Sequence, residues 1–342
     1  MIAFKSLFFL QIVLLILLCN LHFMQGKQGE KLQSFSLEKA NALKGIMAIL
    51  IVITHIGNEF SRNGLNISSF TNFGSVCVST FFFISGYGLI KSYKKNGEDY
   101  LKSFFSRRFI KLLPPIVIAT SLWLFVKCMF YGYEIGNVFA DFSDGITPLP
   151  NSWYIYIIML LYPAFYITMK IRRYSVGGGY LLLLALVLII VYVPYSLNWS
   201  IEWYSNTIPF YFGVIYGEYE KMVTQFAKSN KIKHIVILSI TCLLFITLHV
   251  LKIASFFPIK YSWIIPIIIV GILYYVNNKK RSSICEWLGV ISYEVYLIHG
   301  SFIFICMPLI KNPIIYTVAV FVLTFLSSLV LNKLARLISK NL

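Results

Sequence analysis

Long apolar runs without charges recur along the whole chain, and short polar segments separate them. The run at 181–193, for example, reads LLLLALVLIIVYV. Because about 20 consecutive apolar residues are enough for a helix to cross a bilayer, such runs predict membrane-spanning helices. Eleven runs approach that length, at 2–24, 43–60, 73–90, 112–133, 152–169, 177–195, 203–219, 234–251, 261–277, 287–310 and 314–331. The pattern therefore predicts an all-α integral membrane protein.

The composition agrees with the apolar runs and excludes a soluble globular protein. Of the 342 residues, 58% are hydrophobic and only 13% are charged, whereas soluble domains carry about 25% charged residues. The six cysteines are scattered without a CxxC pair. We therefore interpret them as small apolar residues and predict neither a disulfide framework nor a metal site.

The basic residues predict the orientation of the helices. The formal net charge is +17, and Lys and Arg cluster at the ends of the apolar runs rather than along one helix face. This placement is typical of membrane topology and not of nucleic-acid binding. If the first connecting loop is cytoplasmic, 24 of the 30 Lys and Arg residues lie on the cytoplasmic side, as the positive-inside rule requires. The same alternation puts the C-terminus in the cytoplasm.

The first apolar run allows two interpretations. Lys5 precedes an apolar core at 7–18, as in a signal peptide, but no small-residue cleavage site follows. Cleavage would also leave the four lysines of 27–44 outside. We therefore predict that 1–26 is a retained N-terminal transmembrane helix.

No long linker divides the rest of the chain. We predict one polytopic domain over 40–335 and a short cytoplasmic tail over 336–342. The segment at 134–151 is acidic and rich in turn signals, so we expect it to form a short lid or loop on the outer side.

Two ionisable residues lie at membrane depth in the run 43–60, where such groups are costly and rarely retained without use. Lys44 and His55 are eleven residues apart, which brings them within about 20° of three full turns and about 16 Å apart along the axis. Glu59 follows at i+4 and can orient the imidazole or hold a proton. The structural alternative is that Lys44 reaches the lipid headgroups and His55 bonds a neighbouring helix. Spacing alone leaves both open.

The next run contains Ser85 and Gly86, which interrupt an otherwise bulky aromatic segment. A glycine at this position allows close approach of a ligand, or of another helix in ordinary packing. We keep both residues as candidates for donor binding.

A basic segment follows at 102–115. Arg107 and Lys111 are at i and i+4 and share a helix face, with Arg108 beside them. Guanidinium groups at a membrane surface suit phosphate or pyrophosphate, although positive-inside anchoring explains the same charges. The pair Pro114-Pro115 is predicted to break the helix or to set its start.

Five segments in order carry a resemblance to a known family. They are Lys44 and His55 within LKGIMAILIVITHI, FFFISGYGL at 81–89, RRFIKLLPP at 107–115, NSWYIYIIMLLYP at 151–163 and LGVISYEVYLIHGSF at 288–302. Together they resemble the acyltransferase-3 family of integral membrane O-acyltransferases. The resemblance covers residues 40 to about 335 and implies a ten-helix core, with the N-terminal helix as an addition.

The resemblance implies transfer of an acyl group, usually acetyl, from cytoplasmic acyl-CoA to a hydroxyl of a surface glycan or its lipid-linked precursor. The location that it implies is the bacterial plasma membrane. Acyl-CoA would be a donor substrate, so no permanently bound cofactor is expected, and the expected partners are membrane lipids, acyl-CoA and the glycan. Some relatives carry an added hydrolase-like domain that completes transfer to the polymer. The sequence stops at Leu342, shortly after the last predicted helix. It is therefore expected to act alone on its acceptor or with a separate protein.

The resemblance also assigns roles to residues. It makes His55 the catalytic histidine and places Lys44, Arg107 and Arg108 near the donor. To the donor side we add Ser85, Gly86 and Lys111, and we put Glu59 beside His55. For the acceptor we expect contacts from Trp153, Tyr154, Tyr296 and His299, and stacking of a sugar on Trp199 or Trp203.

Two features leave alternatives open. The segment 152–163 contains no acidic residue, so an acid needed there must come from Glu59, Asp141 or Asp144. A transporter or flippase of a lipid-linked glycan would also be polytopic, aromatic-rich and basic inside. The inner pair Arg107-Arg108, combined with Lys44 and His55 on one helix face, favours the enzyme, because a flippase needs no base to activate attack on a thioester.

Overall fold

The computed structural model describes Phe35 and residues 37–62, 73–250, 264–273 and 283–340. Within these residues the regular structure is helical throughout, without strands, as predicted. The helices are, in chain order, α1 Leu37–Arg62, α2 Phe73–Asn96, α3 Asp99–Lys102, α4 Phe104–Tyr131, α5 Val138–Ser143, α6 Trp153–Arg172, α7 Val176–Ser196, α8 Glu202–Ser205, α9 Pro209–Ser229, α10 Lys231–Val250, α11 Ile264–Leu273, α12 Ser283–Val290, α13 Ser292–Leu309 and α14 Pro313–Lys340. The predicted N-terminal helix at 2–24 lies outside the described residues.

Eight helices of the described part are long and apolar enough to cross a membrane, which confirms the predicted all-α membrane class. They are α1, α2, α4, α6, α7, α10, α13 and α14. The most buried are α1 and α2, with 67% and 72% of their apolar windows inside the protein, against 28% for α4, α7 and α14. The helix that carries Lys44 and His55 therefore lies in the centre of the bundle.

Two predicted spans are each divided by a short break. The span at 203–219 consists of α8 and the start of α9, because buried Asn206 and Thr207 interrupt the helix before Pro209 starts the next one. Ser79 donates a hydrogen bond to the Asn206 side chain at 3.3 Å, whereas the buried Thr207 hydroxyl has no partner among the described residues. The span at 287–310 is divided between α12 and α13 at Ile291.

The prediction that Pro114-Pro115 breaks the fourth span or sets its start is wrong. Helix α4 begins at Phe104 and continues through both prolines to Tyr131. Pro114 has no N–H for the carbonyl of Ile110. The Ser339 hydroxyl of α14 lies 3.1 Å from that carbonyl and 2.7 Å from the Ala335 carbonyl of its own helix, so two acceptors share its single hydrogen. A hydroxyl from a distant helix thus stands where it can donate in place of the missing backbone N–H.

Glycines allow the central helices to approach closely. A Cβ on Gly86 of α2 would collide with the carbonyl of Phe210 in α9, and a Cβ on Gly213 of α9 would collide with the carbonyl of Phe83. Gly45 of α1 and Gly289 of α12 make the same kind of contact with each other's helices. Small residues serve this purpose in membrane proteins, where packing rather than hydrophobicity joins helices. In this structure Gly86 therefore faces another helix.

The segment at 134–151 forms a short turn at Ile135–Asn137, the helix α5 and an irregular stretch. Two indole N–H groups fix it: Trp199 donates to the Ser143 carbonyl at 2.9 Å and Trp203 to the Gly145 carbonyl at 2.7 Å. Gly145 has a φ of 77°, in the region that favours glycine. The segment is thus an ordered cover over one end of the bundle.

Candidate active site

A cavity of about 590 Å³ lies under this cover and reaches His55. His55 is half-buried on α1, one turn before Asn58 and Glu59, which also face the cavity. The other walls come from α4, the 145–151 stretch, α6, α8 and α13. The lining residues are His55, Asn58, Glu59, Arg62, Trp123, Lys127, Tyr131, Gly145, Ile146, Thr147, Pro148, Pro150, Asn151, Trp153, Ser200, Glu202, Trp203, Ile303 and Phe304.

The cavity combines aromatic faces with amide and charged groups. Trp123, Trp153 and Trp203 supply indole rings, and Asn58 and Asn151 supply amides. Such a mixture suits a polar molecule with flat apolar faces, such as a sugar. Trp199, which the sequence also suggested for stacking, does not line the cavity and packs behind Trp203 at a centroid distance of 4.6 Å.

Three of the four charged residues that line the cavity, Glu59, Arg62 and Lys127, form ion pairs. Arg62 and Glu59 form an ion pair at 3.3 Å. Lys127 lies 3.9 Å from Asp141 and stands over the Tyr133 ring at 3.5 Å. Burial, together with the hydrogen bond that Tyr133 donates to Asp141, raises the pKa of the Tyr133 hydroxyl to about 12. Asp141 therefore supports the wall of the cavity.

His299 lies directly behind His55. The two ring centroids are 5.0 Å apart, and the rings are tilted by 41°. His299 is completely buried, and its Nδ1 lies 2.7 Å from the carbonyl oxygen of Tyr296 and 3.2 Å from that of Val295. Its Nε2 has no hydrogen-bond partner among the described residues.

Buried hydroxyl groups continue from the histidines into the bundle. The Tyr296 ring lies 5.7 Å from the His299 ring and 5.3 Å from the Tyr154 ring. The hydroxyl of Tyr154 is 3.3 Å from that of Ser85, and the hydroxyl of Tyr296 donates to the Asn151 carbonyl. Four residues predicted separately, on α2, α6 and α13, thus form one group next to His55.

The opposite end of the bundle is basic; we call the end that holds Lys91, Arg108 and Arg172 the basic end. Several of its cations are neutralised by carboxylates. Lys91 pairs with Glu220 at 2.6 Å, Arg172 with Glu218 at 2.7 Å and Lys170 with Glu98 at 3.5 Å.

The four predicted donor contacts Lys44, Arg107, Arg108 and Lys111 have no carboxylate within ion-pair distance in the described residues, and the same holds for Lys95 and Arg173 at this end. Arg108 is half-buried and oriented by neutral groups: its Nε donates to the Tyr100 hydroxyl at 3.0 Å, and its guanidinium lies 5.9 Å from the centre of the Tyr162 ring. These cations are therefore available to an anion.

The structure brings together most of the predicted site residues, in two groups. His55, Glu59 and Trp153 line the cavity, with Ser85, Tyr154, Tyr296 and His299 behind it. The cations Lys44, Arg107, Arg108 and Lys111 lie at the basic end, and Gly86 contacts α9. Across the described residues, no cluster of three His, Cys, Asp or Glu residues could hold a metal ion.

Sequence reasoning missed several residues of the cavity wall, namely Asn58, Trp123, Lys127, Asn151 and Glu202. Lys127 carried a usable signal, because it lies inside the apolar run 112–133, where an isolated charge is uncommon. Glu202 and Asn151 lie in polar segments between runs, and only the fold brings them to His55.

Comparisons with known proteins indicate one class of protein. The family model described as an acyltransferase domain matches residues 37–333. The chain is 29% identical over 119 residues to proteins of Staphylococcus aureus strains COL, MSSA476 and MRSA252 that carry the provisional name of O-acetyltransferase. That match covers 34% of the chain and 18% of the length of each relative. No solved structure matches the chain.

Proposed function

The chain belongs to the acyltransferase-3 family, and from this premise we propose that it is a membrane O-acyltransferase. It moves an acyl group, acetyl in the simplest case, from acyl-CoA to a hydroxyl of a surface glycan or of its lipid-linked precursor. The basic end faces the cytoplasm of a bacterial cell and receives the donor. The cavity at His55 opens on the outer side and receives the acceptor.

The donor side is supported by Lys44, Arg107, Arg108 and Lys111, which have no carboxylate partner in the part of the chain that the structure describes. A half-buried cation such as Lys44 is costly without an anion, and the phosphates of CoA are anions that the cytoplasm supplies. Arg108 is oriented by Tyr100 and Tyr162, as a guanidinium that must meet a phosphate in a fixed direction. Lys91, Lys170 and Arg172 of the basic end are neutralised by Glu220, Glu98 and Glu218, so these three compete less for the donor.

The length of acyl-CoA accounts for the distance between its phosphates, at the basic end, and its thioester, beside His55. Lys44 and His55 lie on α1 about 16 Å apart along the axis. The phosphates bind at the basic end, while the extended arm of CoA runs along the interior of the bundle. Ser85, Tyr154 and Tyr296 provide hydroxyl groups beside its thioester end.

The acceptor side is supported by the cavity. Its volume of about 590 Å³ lies in the range of small-molecule sites. Indole faces of Trp153 and Trp203 suit the apolar face of a sugar ring, and Asn58 and Asn151 suit its hydroxyl groups. This arrangement presents one sugar hydroxyl to the His55 ring.

The chemistry needs a base because an alcohol is a poor nucleophile. An uncharged imidazole at His55 takes the proton of the acceptor hydroxyl as its oxygen attacks the thioester carbonyl. The tetrahedral intermediate then loses the thiolate of CoA, which takes the proton from the His55 imidazolium. An ester and free CoA are the products.

The observation that carries the proposal is the division of α1 between two environments. One end of this helix bears Lys44, which has no carboxylate partner among the described residues, and eleven residues further on His55 faces a cavity lined by tryptophans and amides. A flippase needs a path for a glycan but needs no base next to such a cavity.

Inverted and right-side-out membrane vesicles that contain the full chain test this function. With radiolabelled acetyl-CoA supplied on the cytoplasmic face, we expect label in the glycan fraction. His55→Gln keeps hydrogen bonding but removes the base, so transfer should fall by about 10²- to 10⁴-fold at matched expression. His234→Gln, at a histidine that does not line the cavity, is the matched control and should retain activity.

Two results would contradict the proposal. Near-normal transfer by His55→Gln would exclude His55 as the base. Movement of unlabelled glycan across the bilayer without any label in the product would favour the flippase.

A further inference from the structure

His299 can be assigned a single protonation state. A backbone carbonyl oxygen can only accept a hydrogen bond, so the Nδ1 that faces the carbonyls of Tyr296 and Val295 must carry a hydrogen. The ring is completely buried and has no carboxylate beside it among the described residues. An unpaired cation would be costly there, so the ring is neutral and the lone pair lies on Nε2.

That lone pair is an unused hydrogen-bond acceptor. No donor from the described residues reaches Nε2, and a buried acceptor without a partner requires an explanation. The His55 ring is the polar group next to it, at a centroid distance of 5.0 Å. Two imidazoles joined edge to edge by an N–H···N bond of about 2.9 Å have centroids roughly 5 Å apart. The two rings do not make this bond in the structure, but they are close enough that a rotation of the His55 ring brings one of its nitrogens to Nε2, and catalytic hydrogen bonds often align only when substrate is bound.

We propose that His299 is a positioning residue for His55. In the reacting complex its Nε2 accepts a hydrogen bond from one ring nitrogen of His55, and this bond leaves the lone pair of the other His55 nitrogen directed at the cavity. The inference rests on the proposed function and adds to it the group that fixes the tautomer of the base. An imidazole oriented by a second group is a general requirement of histidine catalysis.

The neutral partner also helps during the reaction. When His55 takes the hydroxyl proton, its new positive charge is shared through the hydrogen bond to His299, and the proton of that bond remains on His55. The proton that moves enters at the nitrogen facing the cavity and leaves from the same nitrogen to the CoA thiolate. His299 therefore neither gains nor loses a proton over the cycle.

The other charged and titratable groups around His55 are engaged elsewhere or act from the cavity side. Glu59 on the same helix is paired with Arg62 at 3.3 Å. Lys127 and Tyr131 of α4 and Glu202 of α8 line the cavity in front of the ring. From α13, behind the ring, His299 supplies the acceptor.

Three substitutions at His299 separate positioning from packing. In His299→Asn the amide N–H can still donate to the Tyr296 carbonyl, but no acceptor reaches the position of Nε2. In His299→Gln the longer side chain brings an amide oxygen to that position. His299→Leu removes both polar groups at similar volume.

For His299→Asn and His299→Leu we expect kcat to fall by about 10- to 100-fold, as for other residues that orient a catalytic ligand. The KM values for acyl-CoA and for the acceptor should change less than threefold, and CoA binding should be normal. The kcat of His299→Gln should be at least tenfold higher than that of His299→Asn. His234→Leu is the control for loss of a histidine elsewhere. Stability of each purified variant is measured by its thermal midpoint.

Several outcomes would overturn the inference. Equal kcat for His299→Asn and His299→Gln at equal stability would make the residue structural, and a changed acceptor KM at normal kcat would make it a substrate contact. Normal kcat for all three variants, with His55→Gln inactive, would remove His299 and leave the proposed function intact. Transfer that survives His55→Gln would instead remove the mechanism on which the inference rests. If His299→Leu does not fold, the comparison between Asn and Gln still decides.

Discussion

Arg108 is held at the basic end by neutral groups alone, through the hydroxyl of Tyr100 and the ring of Tyr162. We expect Arg108→Ala to weaken binding of acyl-CoA because one charge-assisted phosphate contact is lost. Such a contact is worth about 1.5–3 kcal/mol, which is roughly a 10- to 100-fold higher Kd. Titration calorimetry of the detergent-solubilised protein measures this change.

The matched control is Lys102→Ala, which removes an exposed lysine that is already paired with Asp99 at 2.6 Å. Its Kd for acyl-CoA should be unchanged. If the double variant Arg107→Ala/Arg108→Ala binds acyl-CoA like the wild type, these residues only anchor the topology.

For single residues, the sequence identifies those site residues whose functional pattern lies within one helix. Lys44 and His55 could be identified because both lie on one helix, where an eleven-residue spacing has a definite geometry. The pairing of His55 with His299 could not be predicted, because the two residues are far apart in the chain and meet only through the packing of α1 and α13. Glu202 was missed for the same reason, since nothing in its own segment points to His55.

Two glycines of α2, Gly86 and Gly88, allow a test of whether close contact between helices stabilises the protein. We expect Gly86→Ala to destabilise the protein by about 1–3 kcal/mol, because its Cβ meets the backbone of Phe210, which cannot move without separating α2 from α9. Gly88→Ala is the matched control, since nothing lies within 4 Å of a Cβ there. Thermal unfolding in detergent should show a lower midpoint for the first variant and an equal or higher one for the second. Equal midpoints would show that the Gly86 contact does not contribute to stability.

The double proline of α4 provides a second prediction about an element. Ser339→Ala should destabilise the protein by about 0.5–1.5 kcal/mol, because the Ile110 carbonyl loses its hydrogen-bond donor. The hydroxyl also lies 2.7 Å from the Ala335 carbonyl of its own helix, so a second variant is needed to identify the bond that matters. In a Pro114→Ala background the new N–H satisfies Ile110, and the effect of Ser339→Ala should largely disappear. Additive losses in this double-mutant cycle would contradict the assigned role of Ser339.

The elements themselves follow closely from the apolar runs, because a bilayer forces every backbone group of a spanning segment into a helix. The apolar runs predict less well where these helices are interrupted. The division between α8 and α9 arises from buried Asn206, whose partner Ser79 lies on another helix. The uninterrupted course of α4 through Pro114 depends on Ser339. In both cases the compensating group comes from far along the chain, so the local pattern could not predict the result.

The whole molecule separates its charges along one axis, and this gives a prediction for topology. Exposed Arg107 and Lys231 lie toward the basic end, and exposed Asp144 lies in the cover of the cavity. In a cysteine-free background, Asp144→Cys should react with a membrane-impermeant maleimide in intact cells, because the predicted topology puts the cover on the outer side. Arg107→Cys and Lys231→Cys should react only after permeabilisation. Labelling of Asp144→Cys and Lys231→Cys from the same side would contradict both the topology and the proposed path of the acyl group.

The bond from Ser339 to Ile110 also has a consequence for the order in which the protein assembles. Ribosomes deliver α4 to the membrane long before the codons for α14 are read, so the Ile110 carbonyl must enter the bilayer without its final donor. Ile110 lies between Arg108 and Lys111 at the basic end, so water can bind its carbonyl while α14 is still absent. Docking of α14 then exchanges that water for the Ser339 hydroxyl. This contact between α4 and α14 therefore forms late, after both helices have been inserted.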